Sequence, residues 1–349
     1  MIRNVFEIMT YSNIRNSIAN SRYSMRDLRS PDYELKNPDT PQCSGFLVQL
    51  NGDFFIQECA SEPYPYYDKA EHCDIQSFAT FNAGKNSRDI KEARSVRDKY
   101  KVLKSPFVEL EEGAKGMWFF SGFMQNKKHE FLFEIPDFKK DELLPLEENE
   151  YNDFIFIHEK ENENDCWNFW KGRLKNYSSL EEIVEDGFKG IVPCFFRTKT
   201  DGKSVRDLGF SFLYRQPYPN TIHDFLPEQM KRDGLDLTQA VFGYVGKKNA
   251  LRGRVQVGNA FVENARPMND ERTFILGSPK PTYYPFYLEQ NGNGKLKTYF
   301  SEDTRISGYK RFLLKDKADE GNAEKSRVTS SFVPIDAGAE FTSNIYFHN

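Results

Sequence analysis

Apolar positions recur at two different periods along this chain. Near the N-terminus Ile2, Val5, Phe6, Ile8, Met9, Ile14 and Ile18 stand mostly three or four residues apart, with Arg3, Glu7 and Arg15 elsewhere on the wheel. That spacing predicts an amphipathic helix over residues 1–19. It opens without a cap or a preceding strand, which leads us to expect further sequence upstream. Strict alternation takes over at 45–58, where two apolar runs flank Asn51-Gly52, and predicts a hairpin on a two-residue turn. Strand-like runs follow at 116–125, 130–135, 154–158, 191–197 and 207–215, and helical spacing appears near 88–103 and at 179–185. Phe341, Ser343, Ile345 and Phe347 alternate in a final strand. Prolines at 31, 38 and 41, and again at 217, 219 and 227, break the pattern and mark two boundaries. The segment between them reads as mostly β with long polar loops.

The stretch 235–262, LDLTQAVFGYVGKKNALRGRVQVGNAFV, reads as a helix end, a cationic loop and a strand. Glycines followed by lysines invite a phosphate-loop reading, but the spacing rejects it. Gly243 and Gly246 stand too close for a G-x-x-x-x-G-K-[ST] loop, and Lys248 is followed by Asn249. NGNGKLK at 291–297 fails as a dinucleotide fingerprint, because its sixth position is Lys297 and no strong strand precedes it. What remains is a glycine-flanked loop carrying Lys247, Lys248, Arg252 and Arg254, chemistry suited to a phosphodiester chain.

Composition supports a globular, β-rich chain of 349 residues, with 31 Phe and 18 Tyr beside 29% charged residues. The net charge of -4 excludes a uniformly basic nucleic-acid binder and throws weight on local asymmetry. Residues 1–30 carry a net +3 and 241–266 a net +4, whereas 134–165 carry a net -9 and read as a solvated loop that does not touch nucleic acid. The five cysteines have no C-x-x-C spacing, so neither a zinc ribbon nor a disulfide framework is indicated, and a reducing, cytoplasmic setting is the simplest expectation. The histidines are scattered, and no metal site is expected. No signal peptide is expected, and no apolar run is long enough to span a bilayer.

Several blocks, in order, resemble one family. MIRNVFEI, AVFGYVGKKNALRGRVQVGNAFV and FVPIDAGAEFTSNIYF look like hallmarks of the RAMP superfamily, the backbone subunits of CRISPR effector complexes. SGFMQNKKHEFLF, YRQPYPNTIHDFLPEQM, LGSPKPTYYPFYL and ISGYKRFLL narrow the resemblance to a large type III-associated family. It implies an α+β, β-rich fold: a ferredoxin-like (RRM-like) core built from a first helix at 1–30 and the remainder at 226–349, interrupted by a long, mainly β insertion at 31–225. It further implies binding of CRISPR guide RNA, contact with target RNA and other effector subunits, and a part in antiviral defence. By the match, Arg3 faces the guide, with Lys247, Lys248, Arg252 and Arg254 in or beside the loop after the Phe242-Gly243 turn. The family's glycine- and serine-containing loop before this helix, its upstream acidic loop with the cleaving aspartate, and its C-terminal glycine-rich loop have no counterpart here. The chain is therefore expected to lack the family's two ends, and no catalytic residue carries over.

Blander readings accompany these. Arg3 is equally a salt-bridge partner on its helix. Lys247 and Lys248 are by default hairpin solubility residues, a reading that the flanking glycines and Arg252 and Arg254 shift toward RNA contact, and Arg254 alternates with Val255 as a cross-strand partner of an acidic neighbour would. Tyr283, Tyr284, Phe286 and Tyr287 suit base stacking, with core packing the commoner fate. Lys127-Lys128-His129-Glu130 reads as a hairpin turn. Asp27 and Asp224 are the carboxylates to test if the chain is instead an RNA endonuclease, a role that would bring in a divalent metal; as turn or cap residues they need no chemistry. The third alternative is a β-rich structural subunit that binds no RNA.

Overall fold

The computed structural model describes residues 2–13, 21–33, 35, 42–59, 72–74, 92–103, 105–109, 114–122, 129–159, 166–231, 234–246, 248–274, 282–292, 294, 296–308 and 329–348. The architecture mixes helices with a larger share of strand. The chain divides into two compact units, residues 24–218 and residues 1–23 with 219–349.

The unit of residues 24–218 is built on the hairpin. Cys43–Leu50 and Asp53–Glu58 pair antiparallel, with Leu50 opposite Asp53. Asn51 and Gly52 close the turn at φ of 52° and 95°. Two successive left-handed residues make the turn whose twist matches that of the flanking strands, which is why Asn-Gly stands there. The sheet grows to Val192–Thr198 and Val205–Gly209 on one side and Leu143–Leu146 on the other, while Asn176–Tyr177 runs parallel to the end of Cys43–Leu50. A second, four-stranded sheet runs His72–Asp74, His129–Glu134, Lys115–Phe119, Phe107–Glu109.

Phenylalanines fill the space between the sheets. Phe195 meets Phe131 and Phe133 edge-on at 5.0 and 5.3 Å, and Phe46 meets Phe133 at 6.1 Å. Tyr100, from the helix Val96–Val102, stacks on Phe169 at 4.4 Å and donates its hydroxyl to the Trp118 carbonyl at 2.8 Å. Many of this unit's aromatic rings, among the described residues, are thereby buried in its core. One charge is fully buried there. Arg197 has no exposed side-chain surface; it donates Nε to Asp207 at 2.9 Å and pairs its Nη2 with the other carboxylate oxygen. Burial pulls the guanidinium pKa down, but the Asp207 carboxylate outweighs it and the net shift is upward. Tyr214 donates its hydroxyl to Asp207 and receives at its own carbonyl the Tyr33 hydroxyl at 2.7 Å.

Several expectations fail in this unit. The acidic stretch 134–165, read as a solvated loop, holds the strand Leu143–Leu146 and the helix Glu148–His158, and the strand expected over 116–125 ends at Phe119. Residues 154–158, read as a strand, form the end of the helix Glu148–His158. Aromatic and β-branched residues favour strands locally, but Glu148 and Glu150 suit a helix N-terminus, and Tyr151 stacks on Phe54 at 4.0 Å while Phe154 is buried. The strand expected over 207–215 ends at Gly209, where Tyr214 packs so closely that a Cβ would sit 2.3 Å from its own Cβ. Lys127 and Lys128 lie outside the described residues.

The other unit holds the first helix, Ile2–Met9, which stops well short of residue 19. Thr10 turns its hydroxyl back to the Phe6 carbonyl at 2.8 Å, and Tyr11 adopts a φ of 50°, a left-handed exit that breaks the helix. Further along, Val255–Val257 pairs with Ile345–Phe347, Phe261–Glu263 with Glu340–Thr342, and Arg272–Phe274 with Ser330–Phe332. The result is a long antiparallel ribbon. Between its first two pairs one extra residue on the 258–261 side makes a bulge, so Val262 joins Val255, Val257, Phe341, Ile345 and Phe347 on one face.

Candidate nucleic-acid interface

The basic loop is rooted on a well-capped helix. Asp236 caps Leu237–Phe242, accepting the Gln239 N–H at 2.7 Å, while Gln239 Oε1 accepts the Asp236 N–H in return. The helix ends at Gly243, whose φ of 73° and ψ of 170° fall in a region that essentially only glycine enters. The chain then forms a short hairpin, Tyr244–Val245 against Ala250–Leu251, closed by the Gly246 N–H on the Asn249 carbonyl at 2.8 Å. Two close approaches lock its base. A Cβ on Gly243 would lie 2.4 Å from the Leu251 carbonyl oxygen, and one on Gly253 would lie 2.6 Å from that of Phe242. Arg254 N–H bonds the Val241 carbonyl at 2.8 Å, and the Arg254 carbonyl accepts from His348 at 2.9 Å. Helix end, hairpin and ribbon are thus pinned together by backbone contacts.

The first helix packs on the same capped helix. Phe6 meets Phe242 edge-on at 5.5 Å, Thr10 and Ser12 hydrogen-bond Thr238, and Asp236 accepts the Asn13 N–H at 3.0 Å. Residues more than two hundred positions apart in sequence thereby join in one unit.

The candidate residues have different environments. Lys248, Arg252 and Arg254 are exposed, and no ion pair or side-chain hydrogen bond engages any of the three among the described residues. Lys247 lies outside the described residues. Arg3 is half-buried and donates Nε to Glu7 at 2.9 Å, the helix salt bridge open to it from sequence, while its Nη2 is buried without a hydrogen-bond partner. Of the aromatic cluster, Tyr284 is buried, whereas Tyr283 and Phe286 are 56% and 58% exposed.

The carboxylates considered for catalysis are engaged in turns. Asp27 accepts the Arg29 N–H at 3.0 Å. Asp224 accepts the Thr221 N–H at 2.6 Å and its hydroxyl at 2.8 Å, and these donors hold its carboxyl below the usual aspartate range. Among the described residues no group of three or more His, Cys, Asp or Glu side chains could hold a metal ion. Among them, too, no helix is long and apolar enough to cross a membrane.

No protein-family model matches the chain, and no curated protein matches it. One feature escaped the sequence reading: an open cleft lined in part by Phe286, Glu289 and Arg305. It is assembled from segments some twenty residues apart whose individual motifs are unremarkable.

Proposed function

We propose that this chain is a RAMP-type subunit of a type III CRISPR effector, binding guide RNA through the basic hairpin root and helping present target RNA in antiviral defence. The core would be ferredoxin-like, formed by residues 1–30 and 226–349 around an insertion at 31–225, with neighbouring effector subunits as protein partners and the cytoplasm as its setting. Guide binding calls for no cofactor; a divalent metal enters only if RNA is cleaved. The observation that carries the reading is the set of three exposed cations, Lys248, Arg252 and Arg254, which pair with no carboxylate among the described residues and stand on a backbone tied by hydrogen bonds to the helix end and the ribbon. Cations already neutralised by protein carboxylates contribute little to a polyanion; these are available to phosphates. The ordered sequence blocks supply the type of polyanion.

The test is single-stranded RNA binding by fluorescence anisotropy across a salt series, comparing the chain with Lys248→Ala/Arg252→Ala/Arg254→Ala. Each lost phosphate contact lowers the slope of log K against log salt by about 0.7, so the triple variant should lose about 2 from the slope and bind more weakly. Unchanged affinity and slope would overturn the site.

A further inference from the structure

The cleft of about 480 Å³ beside the short helix Tyr284–Tyr287 falls in the size range of small-molecule sites. Pro227, Leu288 and Ile306 contribute apolar lining, and the exposed ring of Phe286 flanks it. Leu288 and Ile306 form an isolated antiparallel bridge, and the next residues, Glu289 and Arg305, face one another across it, joined by the Glu289 N–H to the Arg305 carbonyl at 2.8 Å. Leu288 is buried, whereas Glu289 and Arg305 are both exposed, and both border the cleft. Although opposed, they make no ion pair with each other, and neither has another side-chain partner among the described residues.

The combination narrows the occupant. A flat, accessible aromatic ring offers stacking to a base. A carboxylate repels phosphate but accepts hydrogen bonds, and guanine alone among the RNA bases presents two adjacent donors, N1–H and the N2 amino group, on its Watson–Crick edge. An arginine beside that carboxylate supplies the positive charge that a nucleotide phosphate requires. The geometry points to a guanine-nucleotide pocket in which Phe286 stacks on the base, Glu289 reads N1–H and N2–H, and Arg305 holds the phosphate. This rests on the RNA-binding reading for its polymer context and gives that reading a base preference away from the basic hairpin.

The experiment uses the full chain with GMP, AMP, CMP and UMP as probes, followed by ligand-observed NMR. GMP should bind at least about tenfold more tightly than AMP, the ratio expected of one bidentate base contact. Glu289→Gln should abolish that preference and leave AMP binding in place, while Phe286→Ala should weaken all four. Equal binding of the four nucleotides, no GMP binding, or a preference that survives Glu289→Gln would overturn the proposal. A parallel titration with single-stranded RNA, with guanosine replaced by inosine, separates the two readings. Loop-dependent RNA binding without guanine preference sinks the pocket and leaves the guide reading standing; GMP selectivity without RNA binding does the reverse.

Discussion

Asp224 shows how one carboxylate can look catalytic in sequence and be structural in place. It follows a histidine, yet both of its hydrogen bonds come from Thr221 and tie down the turn that leads into His223–Phe225. The Thr221 N–H first, and its hydroxyl second, favour the ionised form and depress the carboxyl pKa. A depressed acid contributes stability that is present above its unfolded pKa and disappears as pH falls through the folded one. Stability should therefore decline as pH drops below about 4, the unfolded aspartate value. In Asp224→Asn that part of the acid dependence should vanish, measured as the urea midpoint across a pH series. An acid limb identical in the two proteins would show that this turn does not hold the carboxylate.

Among the elements, the hairpin root has the least tolerance for change. Gly243→Ala must place a Cβ against the Leu251 carbonyl oxygen while holding a backbone conformation foreign to L-residues. The conformation alone costs about 1–3 kcal/mol, and the contact with backbone cannot relax by a rotamer change. Lower thermal stability and weakened RNA binding are expected together, read by calorimetry and by anisotropy; a fully stable variant would show that the helix exit is not constrained as described. At this scale the legibility of the sequence divides by mechanism. Asn51-Gly52 announced its hairpin because turn chemistry is local, and apolar spacing over 179–185 announced the helix Leu180–Glu185, which the structure shows capped by Ser179 accepting the Glu182 N–H. Residues 154–158 misled because their propensity is for strand, while the packing of Tyr151 on Phe54 and the burial of Phe154 are settled by distant partners. The basic hairpin was legible as charge and glycine. Glu289 and Arg305 were not, since nothing in either flanking segment says that Leu288 will bridge Ile306.

For the molecule as a whole, burial is unevenly shared. Residues 24–218 hold the two sheets, their phenylalanine filling and the Arg197–Asp207–Tyr214 cluster, with Phe46, Phe119, Phe133, Phe195 and Phe196 essentially inaccessible. Such a core is what an independently folding domain requires. Residues 254–274 and 330–348 instead form a two-stranded ribbon whose Val257, Val262, Phe341, Ile345 and Phe347 stay exposed, and isolated two-stranded ribbons are marginal in water. The segment 24–218, expressed alone, should fold cooperatively with a near-UV circular dichroism signal from its buried tryptophans, Trp118, Trp167 and Trp170. In the full chain the ribbon should exchange its amide protons far faster than Cys43–Leu50 and Val192–Thr198 do. If the isolated segment binds a hydrophobic dye and lacks a near-UV signal, its core depends on the rest of the chain. The three cations of the proposed RNA contact would then be tested properly only in the intact protein. If it folds, deleting it from a mixed sample provides the control that separates an RNA contact in the ribbon-bearing unit from one anywhere else.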